Sequence, residues 1–167
     1  MLIKKGVQVL GELLVLVGTQ GTKELDNMIE ENKNMKQYIM PERSIAITEA
    51  GSLIYAIAKA VNQGESILLV TESYYMLMEL NALIMLSRGT KEEKEKYCKE
   101  FNIDINAILS SYKVHGYEVV DGELKELLLE EEGLISDYID NMIRKYISMS
   151  DGIFYGLKEA RDKDSDD

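Results

Sequence analysis

Cysteine, histidine and proline each occur once in the 167 residues, and tryptophan does not occur. A single cysteine, Cys98, excludes an intramolecular disulfide and points to a reducing, cytoplasmic setting. With one histidine, His115, it also excludes the usual Cys/His zinc site within one chain. No run of about 18 uninterrupted apolar residues occurs, so no membrane span is expected. Lys4 and Lys5 precede an apolar stretch, but Gln8 and Glu12 interrupt it and no small-x-small cleavage site follows. That argues against a signal peptide. Basic residues are outnumbered 19 to 30, giving a net charge of −11. A phosphate backbone repels such a surface, so strong direct nucleic-acid binding is not expected. Neither G-x-G-x-x-G nor G-x-x-x-x-G-K-[ST] occurs, so no nucleotide-binding motif is complete.

What remains is ordinary for a soluble globular protein: 46% apolar and 29% charged residues. The abundance of Lys, Glu, Ile and Tyr leans toward a thermophilic or AT-rich source. The length suits one domain, expected over residues 1–157, with 158–167 a disordered acidic tail. The expected fold is α/β, with a small, mainly parallel sheet of three or four strands covered by many helices.

Polar residues on one stripe favour a helix over 2–17, with a strand at Leu13–Val17 as the competing reading. Thr22 is placed to cap a helix over Lys23–Ile39, which Pro41 ends. Ser44–Thr48 and Ser66–Thr71 read as strands around a helix at Ser52–Gln63, a right-handed parallel βαβ unit. Glu72–Arg88 reads as a buried or interface helix, since only Glu79 and Asn81 are polar between Tyr74 and Leu86. That stretch offers a surface for oligomer formation. Lys91–Phe101 reads as a solvated helix and Asp104–Tyr112 as a short one. Tyr117–Val120 reads as a strand ending at Asp121-Gly122, and Glu123–Glu131 and Leu134–Ser148 as helices.

The strand readings put acids at three strand ends: Glu49, Glu72 and Asp121. Ligands of parallel sheets bind there, and three carboxylates suit Mg²⁺ or Mn²⁺. The segment Ile67–Ser73 (ILLVTES) resembles the glutamate strand of Toprim domains, and acids at strand ends resemble PIN nucleases. That resemblance implies metal-assisted phosphodiester cleavage or phosphotransfer. It covers one segment: no Asp-x-Asp pair follows, and no early strand-end Asp starts the chain.

Two glycine segments suggest phosphate cradles. Gly18-Thr-Gln-Gly21-Thr22-Lys23 follows a candidate strand without the phosphate-loop spacing. Gly51 and Ser52 open a helix, where backbone N–H groups can hold an anion. His115 reads as a surface turn residue and Cys98 as an ordinary helix cysteine.

Residues 118–140 hold nine acids against one base, Lys125. Glu130, Glu131 and Glu132, with Asp162, Asp164, Asp166 and Asp167, form the acidic elements suited to a basic protein partner. The favoured expectation is a non-catalytic accessory subunit without a cofactor, such as one in a DNA replication polymerase complex. The alternatives are a metal-dependent nuclease or phosphotransferase at Glu49, Glu72 and Asp121, and a nucleotide-binding domain at Gly51 and Ser52.

Overall fold

The structure, a computed structural model, describes residues 11–18, 22–131 and 133–164, with 154 and 156–164 as backbone only. The chain forms two compact units, Met1–Ser136 and Asp137–Asp167.

The first unit is built around β1 (Leu13–Val17), five apolar residues that are all buried. A strand apolar on both faces belongs inside a parallel sheet. β1 pairs in parallel with β3 (Ile67–Thr71) on one side and β4 (Val114–Val120) on the other. β2 (Lys36–Ile39) adds in parallel outside β3, and β5 (Glu123–Glu126) adds antiparallel outside β4. The order is β2-β3-β1-β4-β5. A second, two-stranded antiparallel sheet joins β6 (Leu128–Glu130) to β7 (Gly133–Ile135). The fold class is therefore the expected α/β, with a mainly parallel sheet.

Alternation along the strands decides which helix covers which face. Leu14 and Leu16 of β1 cluster with Leu68 and Val70 of β3 and with Leu25 and Met28 of α1 (Lys23–Glu31). The opposite face carries Leu13, Val15, Val17, Ile67 and Leu69, each at most 1% exposed. Its covers are α2 (Ala50–Asn62) and α3 (Tyr74–Ser87), which pack on each other. The Thr71 hydroxyl, on this face, reaches the Met76 sulfur of α3 at 3.7 Å. α4 (Lys91–Glu100) follows with a capping box: Thr90 accepts from the Glu93 N–H, and Glu93 accepts from the Thr90 N–H at 2.8 Å.

Several expectations need correcting. Residues 13–17 are strand, not part of a helix over 2–17; residues 2–10 lie outside the described residues. The helix expected over Lys23–Ile39 stops at Glu31. The Asn32 amide donates to the Met28 carbonyl at 2.8 Å, and after residues 33–35 the chain pairs with β3 as β2. The expected strand Ser44–Thr48 is a turn, because the Glu49 carboxylate accepts the Ala46 N–H at 3.2 Å and closes residues 46–49 into a 3₁₀ turn. The parallel βαβ unit therefore exists with β2 in place of that strand. Asp104–Tyr112 contains a 3₁₀ turn at Ile105–Ala107 rather than an α-helix, and a second begins at Ser111. The expected helix Glu123–Glu131 is β5 and β6. Asp121 (φ 53°) and Gly122 (φ 77°) form the two-residue turn into β5, the left-handed pair that a tight hairpin needs.

The second unit is one long helix, α5 (Asp137–Asp164). It begins later than expected, and its backbone is helical as far as Asp164, through part of the segment expected to be disordered. No described helix is long and apolar enough to cross a membrane.

Leu69 is 1% exposed, and Ile84 is fully buried. Leu69→Ala or Ile84→Ala removes core volume that the sheet cannot refill, at an expected cost of about 2–5 kcal/mol. Urea denaturation of each variant measures that cost; a loss under about 0.5 kcal/mol, the scale of a surface substitution, would place the residue outside the core.

Candidate functional site: the carboxyl ends of β1 and β3

β1 and β3 are neighbours, yet their helices leave on opposite faces: α1 after β1, α3 after β3. That divergence is a topological switch point, where an open parallel sheet leaves a crevice at its carboxyl edge. Gly18 ends β1 there, its N–H donating to the Thr71 carbonyl at 3.3 Å. Thr22 is the N-cap of α1. Thr22 has extended backbone suited to capping, but its side chain makes no cap hydrogen bond. Its Oγ1 is buried with no hydrogen-bond partner.

On the β3 side, Met40 adopts a left-handed conformation (φ 45°), turning the chain after β2 into the short 3₁₀ turn Pro41–Arg43. The proline sits at the start of that turn, where its missing N–H costs nothing. This turn carries Glu42 over the end of β3. Glu42 Oε1 accepts from the Thr71 hydroxyl at 2.8 Å and from the Glu72 N–H at 2.7 Å. Glu42 Oε2 is buried with no hydrogen-bond partner. The Ser73 N–H donates to Thr71 Oγ1 at 2.9 Å, and Ser73 Oγ caps α3 by accepting from the Met76 N–H. Arg43 pairs with the Glu72 carboxylate at 3.0 Å, with both side chains substantially exposed. Thus one carboxylate of the turn is held by two donors through one oxygen, and its other oxygen is unused.

The residues expected as a metal site are not brought together. Glu72 engages Arg43, Glu49 closes its own turn, and Asp121 sits exposed in the β4–β5 turn. Among the described residues no group of three or more His, Cys, Asp or Glu could hold a metal ion.

Gly51 and Ser52 lie in the first turn of α2, which follows a 3₁₀ turn rather than a strand end. Gly51 faces α3: a Cβ there would meet the Glu79 carboxylate at 3.2 Å. Tyr55 donates to that carboxylate at 3.1 Å, and burial, with the carboxylate beside it, pushes the phenol up to about 12. The small residue makes room for Glu79.

His115 lies exposed within β4, not in a turn. Cys98 is buried on α4, and burial raises its thiol pKa further from the reactive range. Asp104 is held below the usual carboxylate range, first by the Lys59 ammonium donating at 2.9 Å and then by the Asn106 N–H.

A groove between α3 and α4, lined by Met85, Leu86, Tyr97, Phe101 and Ile103, has Glu93 as its one charged residue. That carboxylate is engaged in the α4 capping box. Of the acids expected to meet a partner, Glu130 and Glu131 are exposed at the β6 end. Glu132, Asp166 and Asp167 lie outside the described residues; Asp162 and Asp164 are described as backbone.

Sequence reasoning missed Glu42. Its signal was present: an acid just after a strand, some twenty residues beyond a glycine turn, is the usual spacing for a carboxylate that meets a ligand hydroxyl. No protein-family model, curated protein or solved structure matches the chain.

If Glu49, Glu72 and Asp121 stay apart in solution, Mn²⁺ at millimolar concentration gives no thermal stabilisation that depends on them. Melting curves of the chain and of the triple Ala variant test this, and a Mn²⁺-induced rise lost in the variant would restore the metal site.

Proposed function

We propose that the protein binds a mononucleotide, or a ligand of the same chemistry, at the carboxyl ends of β1 and β3. The observation that carries this reading is the pair of buried oxygens without partners, Thr22 Oγ1 and Glu42 Oε2, beside the switch point. A buried polar atom left unpaired costs about 1–3 kcal/mol, so a site that holds two is suited to a ligand that pairs them. The two atoms differ in what they suit. The Thr22 hydroxyl stands at a helix N-terminus whose N–H groups and dipole favour a phosphate. The Glu42 carboxylate accepts hydrogen bonds and suits a sugar hydroxyl. The nucleotide reading first rested on Gly51 and Ser52; the unpaired atoms support moving it to the β1–α1 and β2–α2 connections.

Glu42→Gln keeps an oxygen for Thr71 and Glu72 while changing the free atom, and Thr22→Val removes the free hydroxyl. ATP, GTP or NAD at a hundred times its dissociation constant should stabilise the chain by about 2.7 kcal/mol, a melting shift of roughly 5–10 °C. Either variant should reduce that shift. No shift with any of the three at millimolar concentration would overturn the reading.

A second reading, a non-catalytic accessory subunit that meets a basic protein partner, is supported by the exposure of Glu123, Glu126, Glu130 and Glu131 along β5 and β6. Such a surface tunes association through a salt-dependent rate. Polylysine serves as the probe. Binding at low salt that weakens when these four acids become Gln, and fades at high salt, supports it. Binding indifferent to the four substitutions counts against it.

A further inference from the structure

The Thr71 hydroxyl has one proton to give. Its oxygen receives the Ser73 N–H at 2.9 Å, and its own proton faces Glu42 Oε1 at 2.8 Å and the Met76 sulfur at 3.7 Å. A carboxylate is the far stronger acceptor, so the proton goes to Glu42. The Glu72 N–H donates to the same oxygen at 2.7 Å. Thr71 is fully buried, which anchors this clamp in the core. The Glu42 carboxylate is thus fixed through one oxygen before any ligand arrives, and the buried Oε2 has no hydrogen-bond partner. An ionised carboxylate only accepts hydrogen bonds, so Oε2 calls for a donor or a cation. A cation needs further oxygen ligands, and no such group gathers among the described residues. A donor is therefore the better match. On a nucleotide the donors are the sugar hydroxyls and the base amines; the ionised phosphate oxygens only accept. The sugar adjoins the phosphate, and β1 and β3 are neighbouring strands, about 4.8 Å apart. A phosphate at the α1 N-terminus therefore leaves the sugar, not the base, nearest to Glu42.

Resting on the nucleotide reading above, we infer that Glu42 is the residue that selects the sugar. The site takes a ribonucleotide with both ribose hydroxyls free, and Oε2 accepts a hydrogen bond from one of them. A deoxy form that lacks this hydroxyl leaves Oε2 buried and unpaired, which is the costly state. A phosphate on the sugar is worse, because it sets a second anion against the carboxylate. Arg43, the next residue, is of the type that accommodates a sugar phosphate. Its guanidinium, however, pairs with the Glu72 carboxylate at 3.0 Å. The group that is both fixed and unsatisfied is the Glu42 carboxylate, so the chemistry selected is a hydroxyl.

The test is calorimetric titration of the full chain with ATP and GTP, each against its 2′-deoxy and 3′-deoxy forms, and with NAD against NADP. One deoxy form should bind at least about 10-fold more weakly than its parent, the loss of one hydrogen bond to a charged group. NADP, whose added phosphate sits beside the carboxylate whichever hydroxyl meets Oε2, should bind more weakly than NAD. Glu42→Gln must turn its oxygen to Thr71 and the Glu72 N–H, which leaves its amide N–H₂ at the free position as a donor. That variant should lose most of the deoxy discrimination and accept NADP at least as well as NAD. It keeps the clamp, so its melting temperature without ligand should match the wild type. The wild-type comparisons stand even if the variant does not fold. Deoxy forms that bind as tightly as their parents would overturn sugar selection and leave the nucleotide reading in place. No binding of any of these ligands at millimolar concentration would overturn both. Discrimination unchanged in a folded Glu42→Gln would take the role from Glu42, and a wild-type preference for NADP would assign it to Arg43.

Discussion

The requirement that β1 be dry on both faces governs the first unit. LLVLV has no polar face to give to water, so β1 needs a strand on each edge and a helix layer above and below. Parallel β3 and β4 supply the edges. α1 closes one face, while α2 and α3 close the other. Because α1 follows β1 and α3 follows β3, covering both faces forces the connections of these neighbouring strands to diverge. The crevice at their carboxyl ends follows from burial before any chemistry is added.

Into that crevice the sequence puts few polar groups. Gly18 lets the chain leave β1 close to Thr71. Met40, in a conformation that costs a non-glycine residue about 1 kcal/mol or more, turns Glu42 back over β3. The Glu42 carboxylate then ties the turn to the strand end through Thr71 and the Glu72 amide. One oxygen carries this structural duty and the other does not, so Glu42→Gln separates the two roles.

Legibility varied with the kind of signal. The buried helices and strands were readable where composition left one option, as in SILLVT and the Tyr74–Leu86 stretch. Reading failed where a partner decided the outcome. KQYI lies in a lysine-rich segment whose helical pattern is plausible until β3 is present to pair with it. SIAIT has strand propensity but no neighbouring strand, and Glu49 closes it into a turn. ELKELLLE is rich in helix formers, yet Asp121-Gly122 before it is the stronger signal, because only a left-handed pair makes so tight a turn. The metal triad failed for the same reason as SIAIT: its first member depended on a strand that is a turn. The position of the crevice was legible as a general rule, while Glu42 was missed although its spacing from the glycine turn was there to read.

The proposed binding of a phosphate-bearing ligand is compatible with an acidic surface, because the two apply at different distances. The charge of −11 is spread over surfaces such as β5 and β6. At physiological ionic strength the field of an exposed charge fades over about 8 Å. A small ligand at the proposed site would respond to the groups nearest it, such as the Thr22 hydroxyl at the α1 N-terminus and the Glu42 carboxylate. Glu24 and Asp26 in the first turn of α1 work against an anion there and limit the affinity the helix end supplies. A nucleic acid, by contrast, presents its phosphates across the whole surface and meets the net repulsion. On the proposed reading, such a charge distribution would favour a mononucleotide over a polymer of the same chemistry.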